Sequence, residues 1–174
     1  MDLVGRALEF ARHAYGSDGD LAHPLEVARL VASTGAPDEL VAAALLHDVL
    51  EDTATDAGHL AARFGSRITS LVCSLTEDES IRSYRERKAD LRARACAAGR
   101  DAAVIFVADK LSNARRMRRG QKAFKARKVA HYQATHDLMR SELPSLPLLD
   151  ELGAELVAIR RDRDVPDVRA AQPR

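Results

Sequence analysis

Tryptophan is absent from this 174-residue sequence, and aromatic residues make up only 4% of it. Single-stranded nucleic acids are held by stacking their bases on rings, so so ring-poor a chain is not built as such a platform. A surplus of either charge is lacking too: 27 Lys and Arg stand against 26 Asp and Glu, for a net charge of +1. No whole-molecule field therefore draws the chain to a nucleic acid or a membrane surface. No apolar run approaches the roughly 20 residues that span a bilayer. Met1-Asp2-Leu3-Val4 has neither the basic start nor the long apolar stretch of a signal peptide. The two cysteines, Cys73 and Cys96, lack metal-ligand spacing and read as small core residues of a protein in a reducing compartment. Walker, Gly-x-Ser-x-Gly and dinucleotide fingerprints are missing as well. What is left is a soluble, cytoplasmic chain, long enough for one domain that buries roughly 70% of its unfolded surface.

Alanine, by contrast, is abundant: 31 residues against 9 glycines and 6 prolines. It carries no side-chain entropy cost in a helix, so the composition leans all-α. Periodicity agrees, with Val4, Leu8, Ala11 and Tyr15 forming a first helical stripe. After a loop at 16–20, Pro24 suits the first turn of a second helix that stops near Gly35. Pro37-Asp38 opens a third, expected to run unbroken through Leu45 to Asp52. Thr55 is a candidate cap for a short helix ending at Phe64-Gly65, and Ser66 for the next, with Ile68, Leu71, Val72 and Leu75 on one side. Residues 79–96 and 102–118 read as two long helices joined at Gly99. The run Val104 to Val107 fits a helix buried on most sides. Helices over 122–143 and 148–160 complete an all-α single domain of about eight helices, residues 1–160. The polar tail, 161–174, holds two prolines and is expected to be disordered.

The chemistry concentrates at His47-Asp48, which ends the apolar run Val41 to Leu46. A His and a charged Asp against such a surface are costly unless something pairs with both. A divalent metal is one solution, with further ligands drawn from His23 and from Asp109, which follows the apolar run Val104 to Ala108. Mixed nitrogen and oxygen donors suit Mn²⁺, Fe²⁺ or Zn²⁺. Glu51, four residues after His47, and Asp52, four after Asp48, are placed to orient or deprotonate a water. Lys110 and Asn113, near the last ligand, suit phosphate oxygens. The set describes metal-assisted hydrolysis of a phosphate ester or anhydride.

The segments His23-Pro24-Leu25-Glu26-Val27-Ala28, Ala42 through Thr53 with its His47-Asp48 and Glu51-Asp52, Phe64-Gly65, and Ala108-Asp109-Lys110-Leu111-Ser112-Asn113 resemble the HD-type phosphohydrolases. They are most similar to the RelA/SpoT hydrolase domain and the stand-alone small alarmone hydrolases, over roughly residues 3 to 118. The resemblance implies an HD-type helical domain in which His23, His47, Asp48 and Asp109 hold one Mn²⁺. Glu51 and Asp52 would act on the attacking water, and Asn113 on the nucleotide's sugar region. The implied reaction removes pyrophosphate from the 3′ position of guanosine tetra- or pentaphosphate. The alternatives are a phosphatase for another nucleotide, such as NADPH or ppApp, or a non-catalytic nucleotide-binding HD domain. These hydrolases usually carry an Arg-Lys pair before the His-Pro motif. Here residues 15–22 hold two acids and no base, which leaves the base-recognising contact unassigned, with Arg12 as one substitute.

Residues 115–128 carry eight bases and no acid. They read as a nucleic-acid patch, as a phosphate funnel beside the site through Arg115 or Arg116, or as a solvated face balanced by acids elsewhere. His13, His59, His131 and His136 have no acidic partner at ligand spacing and are not expected to bind metal. The acids at 77–79 read as a solvated helix start, with a second metal site as the alternative. The partner expected is thus a small nucleotide, with neither membrane nor nucleic acid. Self-association is left open.

Overall fold

The structure is a computed structural model that describes residues 2–16 and 19–164. Among these residues nine helical segments follow one another without a strand. They are α1 (Leu3–Tyr15), α2 (Ala22–Ser33), α3 (Asp38–Leu46), α4 (Val49–Asp52), α5 (Ala57–Leu75), α6 (Tyr84–Ala97), α7 (Arg100–Arg118), α8 (Ala126–Glu142) and α9 (Leu149–Asp164). The all-α reading holds, and α4, a single turn, accounts for the extra segment. Asp2 opens α1 by accepting the Gly5 N–H at 2.7 Å, and Ser83 opens α6.

Helix α7 is the axis of the fold. Every residue from Ala102 to Ala114 is buried, because α2, α3, α5, α6, α8 and α9 all pack around it. A helix enclosed on all sides needs no polar face. The four polar residues it nonetheless buries, Asp109, Lys110, Ser112 and Asn113, are therefore set inside the molecule. Helix α3 is buried in the same way from Leu40 to Leu46 and packs on α1, α2, α5 and α7.

Several boundaries differ from the sequence reading. The expected unbroken helix from Asp38 to Asp52 is interrupted at His47-Asp48. His47 Nδ1 donates to the Ala44 carbonyl at 2.8 Å, and the Asp48 carbonyl accepts the Glu51 and Asp52 N–H groups that start α4. Asp56, not Thr55, caps α5 through the His59 N–H, while Thr53 and Thr55 bond each other. The expected division at Gly65 is present: two helical arms of α5 meet there across a kink, with Gly65 at φ 80°. Helix α6 begins at Tyr84 rather than Glu79, because the Asp78 carboxylate takes the Ser80 N–H and hydroxyl and closes a turn there. Helix α8 begins at Ala126 rather than Lys122, since the Gln121 and Lys122 N–H groups fold back onto the Arg116 carbonyl. Helix α9 continues to Asp164, four residues into the expected tail, and the rest of that tail lies outside the described residues. Cys73 and Cys96 are free and half-buried.

Candidate active site

Three elements bring the candidate ligands together. His23 comes from the first turn of α2, His47 and Asp48 from the break between α3 and α4, and Asp109 from the middle of α7. His23 Nε2 lies 3.0 Å from Asp109 Oδ1 and 3.7 Å from Asp48 Oδ2, and His47 Nε2 lies 3.1 Å from Asp48 Oδ2. Donor atoms of His23, His47 and Asp109 fall within 4.8 Å of one another, and all three residues are buried. Three of the four expected ligands, His23, His47 and Asp109, thus form one cluster, and Asp48 stands against both imidazoles.

The local bonding fits a cation at that point. His47 Nδ1 is committed to the Ala44 carbonyl, so its free lone pair is on Nε2, yet buried Nε2 makes no hydrogen bond. An orphaned acceptor facing two carboxylates is explained by a positive charge between them. His23 is oriented from behind by Ser112, whose hydroxyl is 3.1 Å from Nδ1. The charges agree. Burial alone would lower the His47 pKa, but Asp48 and then Asp109 push it up to about 9. Burial would raise the Asp109 carboxyl, but Lys110 and the two imidazoles hold it well below the usual carboxylate range. The cluster demands positive charge, and a proton competes with a metal for the same place.

Glu51 and Asp52 border this centre from α4. His47 and Asp48 keep helical backbone angles through the break, and all four residues line one cleft. Glu51 Oε1 accepts the backbone N–H of Glu77 at 2.6 Å. Burial, with Asp48 and Glu77 nearby, pushes its carboxyl up to about 7. Burial and Asp48 also raise Asp52. Glu77 is not the solvated helix start expected of it: its carboxylate is half-buried and ion-paired to Arg87 and Lys88.

A cleft of about 270 Å³ opens over these groups. Asp48, Glu51, Asp52 and Asp109 line it together with Lys88, Lys110, Arg116, Lys122 and Lys128. Lys110, an expected substrate contact, is buried, bonded to Asp109 and 4.2 Å from the centre of the Phe106 ring. Asn113 donates to Asp109 and accepts from Lys122, so its amide is oriented within the site. Arg116 lines the cleft, but Arg115 does not. It turns to α9, where it pairs with Glu151 and Glu155. That correction follows from the 100° between successive helical residues. The sequence reading passed over Asp20, Glu77, Tyr84, Lys88, Lys122, Lys128 and Tyr132, all of which line the cleft. Only the lysines at 122 and 128 carried a signal, as members of the basic stretch. His131 also lines it without being a ligand. Arg92, a donor only, sits 2.8 Å from its Nδ1, and burial with Lys110, Lys88 and Arg92 pushes its pKa down to about 2. His13 and His59 are exposed, and His136 pairs with Asp137.

The chain is similar to known proteins. Residues 3–137 match the HD domain family. The chain is 36% identical over 118 residues to the guanosine-3′,5′-bis(diphosphate) 3′-pyrophosphohydrolase of Aquifex aeolicus, covering 63% of this chain and 17% of that protein. It is 35% identical over 114 residues to the pyrophosphohydrolase MESH1 of Danio rerio, covering 63% of this chain and 62% of that one. The chain thus spans less than two thirds of either relative. A solved structure from Listeria monocytogenes EGD-e superposes with a TM-score of 0.71 at 31% identity, covering 80% of this chain and 94% of the other. A metazoan SpoT ortholog, described as hydrolysing ppGpp, has the same fold, with a TM-score of 0.73 at 22% identity over 94% of this chain and 96% of that one. With a match across most of its length and a buried His-His-Asp cluster at its centre, the chain belongs to the HD domain family.

Proposed function

We propose that the protein is a metal-dependent nucleotide phosphohydrolase acting as a guanosine-3′,5′-bis(diphosphate) 3′-pyrophosphohydrolase. The observation that carries this reading is the cluster of His23, His47 and Asp109, with Asp48 against both imidazoles, in one cleft with Glu51, Asp52 and five basic side chains. The names of the relatives in Aquifex aeolicus and Danio rerio support the substrate. Among the described residues no helix is long and apolar enough to cross a membrane, and a cytoplasmic location is part of the proposal.

His23, His47, Asp48 and Asp109 would hold a divalent ion, Mn²⁺ in preference to Fe²⁺ or Zn²⁺, which would supply Lewis-acid polarisation and a more acidic water. The chain's own residues do the rest. With one carboxylate oxygen fixed by the Glu77 N–H, Glu51 turns the other to the attacking water and takes its proton. Asp52 orients that water. The new bond joins water oxygen to phosphorus, the bond from phosphorus to the ribose 3′ oxygen breaks, and that oxygen leaves with a proton. Arg116, Lys122 and Lys128 offset the charge of the phosphates. Asn113 contacts the nucleotide from the metal side.

The test is turnover with Mn²⁺ of a panel holding guanosine and adenosine 3′-pyrophosphates, NADPH and simple monophosphates. Release of pyrophosphate from the guanosine compound is expected. Preference for NADPH or ppApp would move the assignment to a different phosphatase. Absence of turnover with any divalent metal would refute the enzyme reading and leave a nucleotide-binding HD domain.

A further inference from the structure

The loop before α2 has acids where a nucleotide-binding loop would be expected to carry bases, and one of these acids has a specific place. Asp20 Oδ2 pairs with Arg116 of α7 at 2.6 Å, across 96 residues of chain. Its other oxygen, Oδ1, accepts the Ala22 N–H at 3.1 Å at the entrance to α2. The acceptor is therefore fixed to the backbone before the arginine arrives, which removes much of the entropy cost that makes surface pairs weak. Arg116 is itself only 19% exposed in its side chain. It stands three residues after Asn113 and seven after Asp109 on one stripe of α7. About 10 Å of helix rise separates its backbone from that of Asp109, and Arg116 is not among the main charges acting on Asp109 or Asp48.

The Arg116 guanidinium makes no other hydrogen bond with a described residue. Its remaining guanidinium donors line the cleft, next to Lys122, whose backbone N–H bonds the Arg116 carbonyl. Arg116 and Lys122 are close enough for each charge to act on the other, and a guanidinium fork matches phosphate oxygens.

Building on the phosphohydrolase reading, we propose that Asp20 is a positioning residue that holds Arg116 across the mouth of the cleft to receive a second, non-scissile phosphate of the nucleotide. The substrate class this selects is a nucleotide phosphorylated at two separated positions. The acid in the loop and the arginine on α7 then form one device: the guanidinium comes from the far side of the cleft, and the loop supplies the group that orients it.

Asp20→Asn keeps the acceptor for the Ala22 N–H and removes the charge. In steady-state assays it should raise KM for a 3′,5′-bis-phosphorylated nucleotide about five- to tenfold with kcat little changed. It should leave KM for a simple phosphate monoester where it was. Asp20→Glu should recover part of the loss. In the Arg116→Ala background, Asp20→Asn should add nothing, since both act through one guanidinium. Calorimetric binding of a nucleoside 5′-diphosphate gives a readout without turnover, and Asp20→Asn should weaken it by the same factor. If the wild type binds the diphosphate and the variant binds it more weakly, while no nucleotide is hydrolysed, the enzyme reading fails and the positioning role stands. Tighter binding in Asp20→Asn would show that Asp20 only competes with phosphate for Arg116. Equal losses on the monoester, or additive losses with Arg116→Ala, would also overturn the proposal.

Discussion

Replacing Glu51 by glutamine should stabilise the protein while nearly abolishing its activity. The two effects have one source. Burial and the nearby carboxylates of Asp48 and Glu77 raise the Glu51 pKa from 4.5 to about 7. Between those values the folded protein binds more protons than the unfolded chain, so stability falls as pH rises, and the full penalty is present above about pH 7. A shift of that size corresponds to about 3 kcal/mol for a fully enclosed group. Glu51 is exposed on its outer side, and screening there reduces the figure to about 1 kcal/mol. Glutamine keeps an oxygen for the Glu77 N–H and has no charge to desolvate. Thermal melts of the metal-stripped protein should therefore show the variant melting about 2–4 °C higher at pH 8, with the gain shrinking toward zero near pH 4.5. In the metal-loaded enzyme the same substitution should cost at least about 10²-fold in kcat, with metal content unchanged. A melting gain that is independent of pH, or a variant that keeps its rate, would refute the reasoning.

Other substitutions separate the remaining parts. Asp48→Ala removes the carboxylate lying 3.1 Å from His47 Nε2; elemental analysis after gel filtration should show retained manganese falling at least about tenfold, and full retention would remove Asp48 from the ligand set. Glu77→Gln takes away a negative charge near Glu51 and frees Lys88 to act on it. The acid limb of the rate profile should move to lower pH, and a limb that stays in place would separate Glu77 from Glu51. Gly65→Ala puts a side chain at φ 80° with no heavy atom within 4 Å of the new Cβ. Strain alone should then lower stability by about 1 kcal/mol in a chemical melt, with activity kept.

The metal centre was legible in the sequence because burial left a mark there. His47-Asp48 and Asp109 each follow an apolar run, where a purely structural chain would continue with apolar residues. The break between α3 and α4 left none, since it depends on one imidazole nitrogen capturing the Ala44 carbonyl. Glu77 could not be found as a partner of Glu51, because the contact is made by its backbone N–H, which every residue but proline has. Arg115 and Arg116 are alike in type, but helical spacing separates them: Arg116, seven residues after Asp109, shares its face and lines the cleft, while Arg115 turns to α9. Asp20 read as a mere departure until its partner 96 residues away was in view.

The central position of α7 has a consequence for how the site opens. Enclosed by six helices, α7 cannot come apart without the core, so its amides should exchange with solvent only on global unfolding. The single turn of α4 packs only on α1 and α5 among the principal helix contacts, and the segment from 50 to 59 is mostly exposed. Asp109 thus sits on the most enclosed helix of the molecule, and Asp48 borders an exposed single turn. A bound ion would leave from the α4 side, by local opening while Asp109 stays in place, and its residence time would be set by that turn.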